Sequence, residues 1–189
     1  MDRFRDTSLL HRIADNLYHG WGYNFYRAEN QLRADDVLIR QKVSWLLGHA
    51  RDKVEAALAE FRRVHLPLPT RAKPLPDPEA LARGATITEL AVAIGNLEGA
   101  VRALPVPDND RMTQRFRKER ETLARLCEFD AILVGRAGLL RDDLSGKDFA
   151  WILEHMSEIR EAIALMQEGL GARQGLLLDP DKITGFPTR

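Results

Sequence analysis

Apolar residues at Leu32, Ile39, Val43, Leu46, Ala50, Val54, Ala57, Phe61 and Val64 follow one another in steps of 7, 4, 3, 4, 4, 3, 4 and 3. Steps of three and four place all of them on one side of an α-helix. The stripe predicts one amphipathic helix over 32–64, roughly 50 Å long at ~1.5 Å per residue. Gly48 lies inside it without a change of phase; it costs about 1 kcal/mol relative to Ala and permits a kink without requiring one. A rod of that length with one apolar side must lay that side against other helices, which commits the chain to a bundle.

The flanking segments read the same way. Thr7 or Ser8 caps a short helix to about His19, with Leu10, Ile13, Ala14 and Leu17 inward, and the sequence Gly-Trp-Gly breaks it. After the long helix, 66–78 carries five of the nine prolines, so it reads as an extended connector. Pro78 opens a short helical piece that Gly84 interrupts. Thr86, with Glu89 three residues on, then reads as the N-cap of a third helix with the stripe Ile87, Leu90, Ile94, Leu97, Val101, Leu104. Pro105 and Pro107 stop it. A fourth helix is expected over 111–141, on Met112, Phe116, Leu123, Leu126, Leu133, Ala137 and Leu140. Glu119 and Asp130 share that side and are expected at its rim, or beside His155, while Gly135 and Gly138 soften the helix end. Ser145 then caps a fifth helix on Phe149, Ile152, Met156, Ile159, Ile163, Met166 and Leu170, which Gly169 and Gly171 close. The last stretch, 172–189, has no helical period and reads as a tail whose Leu176, Leu177, Leu178, Ile183 and Phe186 dock on the bundle or on another chain. The expectation is an all-α fold, an antiparallel up-and-down bundle of four long helices plus a short N-terminal one, in one domain over 1–171.

Composition narrows function by exclusion. Lys plus Arg and Asp plus Glu are 28 each, which excludes a polyanion binder that works by bulk charge. The single cysteine, Cys127, excludes an internal disulfide framework, an iron–sulfur cage and a paired-cysteine zinc site. No run approaches the ~18 apolar residues of a membrane span, and the charged N-terminus lacks the apolar core of a secretory signal, so a cytoplasmic protein is expected. No glycine-rich phosphate loop, nucleophile elbow or HExxH helix is present.

Three groups of residues carry chemical potential. Tyr18, Trp21, Tyr23, Phe25 and Tyr26 concentrate five of the thirteen aromatic residues within nine positions. Rings with polar tips suit half-wet surfaces, so the segment reads as a recognition surface, or as a cap over one end of the bundle. His11, Asp15 and His19 recur at i, i+4 and i+8 on one helix side, and His155 with Glu158 adds a further pair. These are the candidate ligands of a ferritin-like metal bundle, although no Glu-x-x-His pair of the di-iron type occurs. Arg111, Arg115, Arg117 and Lys118 open the fourth helix. Between 111 and 125 six cations face two acids, a candidate phosphate-facing patch that lacks interleaved aromatics.

Two short spacings resemble known families. Arg12-x6-His19 is similar to the Arg–His motif of the HEPN helical ribonucleases, with Ile13 where that family usually has a polar residue. His49 with Lys53 resembles the phosphotransfer histidine of HPt bundles, with the lysine one residue late and Val54 in place of glycine. With these departures neither family is assigned. The leading expectation is a non-catalytic bundle, without cofactor, that binds another protein through the aromatic segment and the apolar tail. The heptad-like third and fifth helices support a homodimer. The alternatives are the metal-containing bundle and a nucleic-acid-binding helical protein.

Overall fold

The computed structural model describes residues 2–19, 31–71, 74–104 and 116–178, with side chains over 3–17, 37–71, 74–104 and 125–176. Among them a 3-10 turn, Asp2–Phe4, is followed by six α-helices: α1 Thr7–His19, α2 Gln31–His65, α3 Pro78–Arg102, α4 Phe116–Leu144, α5 Phe149–Glu154 and α6 Met156–Leu178. The fold is an all-α bundle of four longer helices, one short N-terminal helix and one short helix between α4 and α6. No helix among the described residues is long and apolar enough to cross a membrane.

α2 follows its stripe through Gly48 without interruption and buries Ile39, Val43, Leu46, Leu47, Ala50, Val54, Ala57, Leu58 and Phe61. It packs on α3 and α4; α4 in turn carries α1 and α6. Cross-links fix α2 and α3 as antiparallel. Arg40 Nη1 donates to the Leu104 carbonyl at 2.7 Å, Ser44 Oγ donates to Glu98 at 3.0 Å, and Arg62 reaches Thr88 at 3.4 Å. The buried Glu98 carboxylate also takes Arg102 and Arg51, so its charge is compensated inside the α2–α3 seam. α4 and α6 are antiparallel as well, joined by Arg173 Nε on Asp130 at 2.8 Å and Arg136 Nη1 on the Leu165 carbonyl at 2.6 Å. Arg136 is buried and also donates to the Phe4 carbonyl, which ties the N-terminal turn to α4. Burial, with Arg5 nearby, lowers its guanidinium to about 10, so it stays charged at neutral pH.

Several sequence expectations are corrected here. Gly84 does not interrupt α3: it is buried, and a Cβ there would stand 3.3 Å from Cε1 of Phe61, so the missing side chain lets α3 close on that ring. α3 therefore starts earlier. Its N-cap is Asp77, whose carboxylate accepts from the Glu79 and Ala80 amides, with Pro78 in the first turn. Thr86 lies mid-helix, its hydroxyl donating to the Ala82 carbonyl. Asp77→Ala is accordingly expected to cost about 1 kcal/mol in urea unfolding, and Thr86→Ala less than about 0.5 kcal/mol.

α1 is capped by Asp6, not by Thr7 or Ser8: its Oδ1 accepts from the Ser8 and Leu9 amides and from the Ser8 hydroxyl. The Leu9 amide, then the Ser8 hydroxyl, hold that carboxyl below its ordinary value. The expected fifth helix is two. Asp148, rather than Ser145, caps α5, after a turn in which Gly146 takes φ +70°. The chain steps at His155, and α6 runs through Gly169 and Gly171 to Leu178. The expected tail boundary at 171/172 thus falls inside a helix, because Arg173 and Leu176 are buried against α4. Residues 179–189 lie outside the described residues.

Candidate functional site

The inner side of α2 is spent on the core. Its outer side carries Leu38, Lys42, Trp45 and His49, spaced by four, three and four so that they line up. Trp45 is 46% exposed, and Val37 and Leu38 are exposed about two turns before it. Two side chains contact the indole. Lys42 Nζ lies 4.7 Å from its ring centroid. The His49 ring stands 4.1 Å from it, and His49 Nδ1 donates to the Trp45 carbonyl at 2.9 Å. That bond places the proton on Nδ1 and leaves Nε2 as an acceptor in the neutral ring. Lys42 is buried against the indole, and desolvation, then Arg141, lowers its pKa.

A second stack of the same composition occurs on α5. Lys147 Nζ lies 4.9 Å from the Trp151 ring, which stacks on His155 at 4.1 Å and 13°, with His155 Nδ1 on the Trp151 carbonyl. This one packs against the core and is partly buried. Trp-x-x-x-His puts both rings on one helix side one turn apart, and a lysine three or four residues earlier reaches back over the indole. That spacing is readable in the sequence, but Trp45 and Trp151 both lie outside the ring-dense segment 18–26 on which the sequence expectation rests.

The expected candidates fare differently. Trp21, Tyr23, Phe25, Tyr26, Arg111 and Arg115 lie outside the described residues. Tyr18 and His19 end α1, and Arg117 and Lys118 begin α4, with side chains outside the described set. His11 Nδ1 donates to the Thr7 carbonyl at 2.7 Å, and Asp15 is exposed on the same helix. His155 is engaged by Trp151, whereas Glu158 lines a small cleft with Arg3, Phe4, Asp143 and Glu161. Among the described residues no group of three or more His, Cys, Asp or Glu side chains converges as metal ligands would. Asp130 is neither at the rim nor beside His155. It is buried and held by Arg173, which lies beyond the point where the last helix was expected to end.

The outer side of α2 thus carries a half-exposed indole with a lysine and an imidazole against its ring, and two exposed aliphatic side chains about two turns before it. The chain matches no protein-family model, no curated protein and no solved structure.

Proposed function

We propose that this chain is a non-catalytic helical-bundle protein that acts by binding another protein through the outer face of α2. One observation carries the reading: Trp45 stands nearly half exposed on a helix whose inner side is fully buried, and it is held in place by Lys42 and His49. Indoles are over-represented among the residues that dominate binding energy. Bracing restricts the ring before a partner arrives, so less freedom is lost on association. Val37 and Leu38 extend the apolar surface, and the aromatic segment 18–26 precedes the same helix in the sequence.

The test is affinity capture from the native host with wild type, Trp45→Ala and Trp21→Ala. The expected result is one specific partner retained by wild type and released by Trp45→Ala, with Trp21→Ala weakening the same capture. Trp45→Ala should unfold within about 0.5 kcal/mol of wild type, because Trp45 lies outside the core. A partner set indifferent to both substitutions removes the basis of the reading.

A further inference from the structure

The chain just before α1 bridges α4 and α6. Arg3 Nη1 donates to Asp143 of α4 at 3.0 Å, and Arg5 Nη2 to Glu161 of α6 at 2.9 Å. Between them Phe4 packs on the core, and its carbonyl accepts from Arg136 Nε at 2.9 Å. Beside this segment is a cleft of about 60 Å3 whose helical wall carries Asp143, Glu158, Glu161, Ala162 and Leu165. Three carboxylates there face two guanidiniums. The segment is separable from the helix that follows it. α1 has its own cap in Asp6, which accepts from the Ser8 and Leu9 amides, so it is complete without residues 2–5. It also has its own seat, because the backbone of Leu10 lies against Gly135. The segment itself is held through side chains: among the described residues no backbone–backbone hydrogen bond joins 3–5 to α4 or α6. The Arg3 side chain is 60% exposed and that of Arg5 27%, and ion pairs open to water hold weakly.

We propose that the cleft between α4 and α6 is a peptide site, closed in the free protein by the chain's own Arg3-Phe4-Arg5 as a strap hinged at Asp6, and that it takes a partner segment with an aromatic residue between two cationic ones. The chemistry of the strap sets that of the partner. Asp143 and Glu161 each take a cation, one on either side of the ring. Arg136 is 3% exposed, and a buried guanidinium that loses an acceptor is costly, so an incoming segment has to bring a backbone carbonyl in place of that of Phe4. A segment with the cations but no ring, or the ring but no cations, replaces only part of what the strap supplies. The strap is tethered, so it competes at high local concentration. A partner gains access in proportion to the fraction of molecules in which the strap is open. The site lies on α4 and α6 and is separate from the exposed side of α2.

Fluorescence anisotropy of a labelled, end-blocked peptide Asp-Arg-Phe-Arg-Asp, titrated with the intact protein, tests this. Arg3→Ala combined with Arg5→Ala loosens the strap and leaves the carboxylates of the cleft in place. This variant should bind the peptide about tenfold more tightly than wild type or better, which corresponds to a strap closed in about nine-tenths of wild-type molecules or more. Adding Glu161→Gln should weaken binding about fivefold or more, a peptide with alanine for its phenylalanine should bind about tenfold more weakly, and adding Trp45→Ala should change nothing. Amide exchange over α1 should be the same in the loosened variant and in wild type, because the Asp6 cap does not depend on the strap. Where the double variant melts well below wild type, Arg5→Ala alone carries the same comparison. No binding to the loosened variant, equal binding by wild type, indifference to Glu161 or to the phenylalanine, or loss of α1 protection together with the strap would each overturn the proposal.

Discussion

Gly135→Ala is expected to dislodge α1 from α4. A Cβ at Gly135 would stand 2.4 Å from the carbonyl oxygen of Leu10 and 2.8 Å from its carbonyl carbon and Cα. Those are backbone atoms of a helix, so no rotamer change relieves the contact; α1 as a whole has to move. In an open helix the same substitution stabilises by about 1 kcal/mol, because alanine is the better helix former. Here the clash reverses the sign, and a net loss of about 1–3 kcal/mol is expected, the range for overpacked sites. Leu10, Ile132 and Leu139, the small cluster under α1, should become accessible together. Gly171→Ala is the control. It is exposed, nothing lies within 4 Å of its added Cβ, and it should gain up to about 1 kcal/mol. Urea unfolding of the two variants, with amide exchange over α1, reads both signs. Equal effects would mean that α1 does not seat on Gly135.

Arg173→Met should be the most damaging single change in the contact between α4 and α6. Arg173 and Asp130 are 2% and 7% exposed, and their 2.8 Å contact joins α6 to α4 within the cluster of Leu126, Phe129 and Leu176. Removing the guanidinium leaves a buried carboxylate without that charge partner, a situation that costs about 3–5 kcal/mol. The pair itself contributes far less than that, since desolvating two charges offsets most of their attraction. Arg173→Met combined with Asp130→Leu should therefore recover most of the loss, and Asp130→Leu alone should resemble Arg173→Met in direction. Additive losses in the double variant would show that the two side chains do not act as a unit.

The parts of the fold that were legible in the sequence are those a single helix decides for itself. The stripe over 32–64 gave α2 because periodic burial needs no knowledge of the partner. Glycines were read less well. Gly84, Gly135 and Gly138 all look like weak points, since glycine lowers helix propensity wherever it stands. Their real role is close approach to Phe61, to the Leu10 backbone and to the Leu17 and Ile13 side chains, and each of those neighbours is remote in the chain. Asp130 illustrates the same limit, since its partner lies 43 residues on. The division of the last helical region at His155 was invisible because the turn barely changes the phase of the stripe: the His155 amide still bonds back to Trp151 and the Ile159 amide to His155. The stacked rings of α2 were less legible for another reason. The aromatic cluster at 18–26 stands out by density, whereas Trp45 meets Lys42 and His49 through one-turn spacing, a local signal that composition does not reveal.

On the function proposed above, the exposed side of α2 is a contact surface organised around one indole. Titration calorimetry of the purified wild-type protein and of Trp45→Ala against the partner captured by wild type tests it most directly. Trp45→Ala should lose about 2 kcal/mol or more of binding free energy, roughly thirtyfold in Kd, with thermal unfolding unchanged. Equal affinities for the two proteins would contradict it.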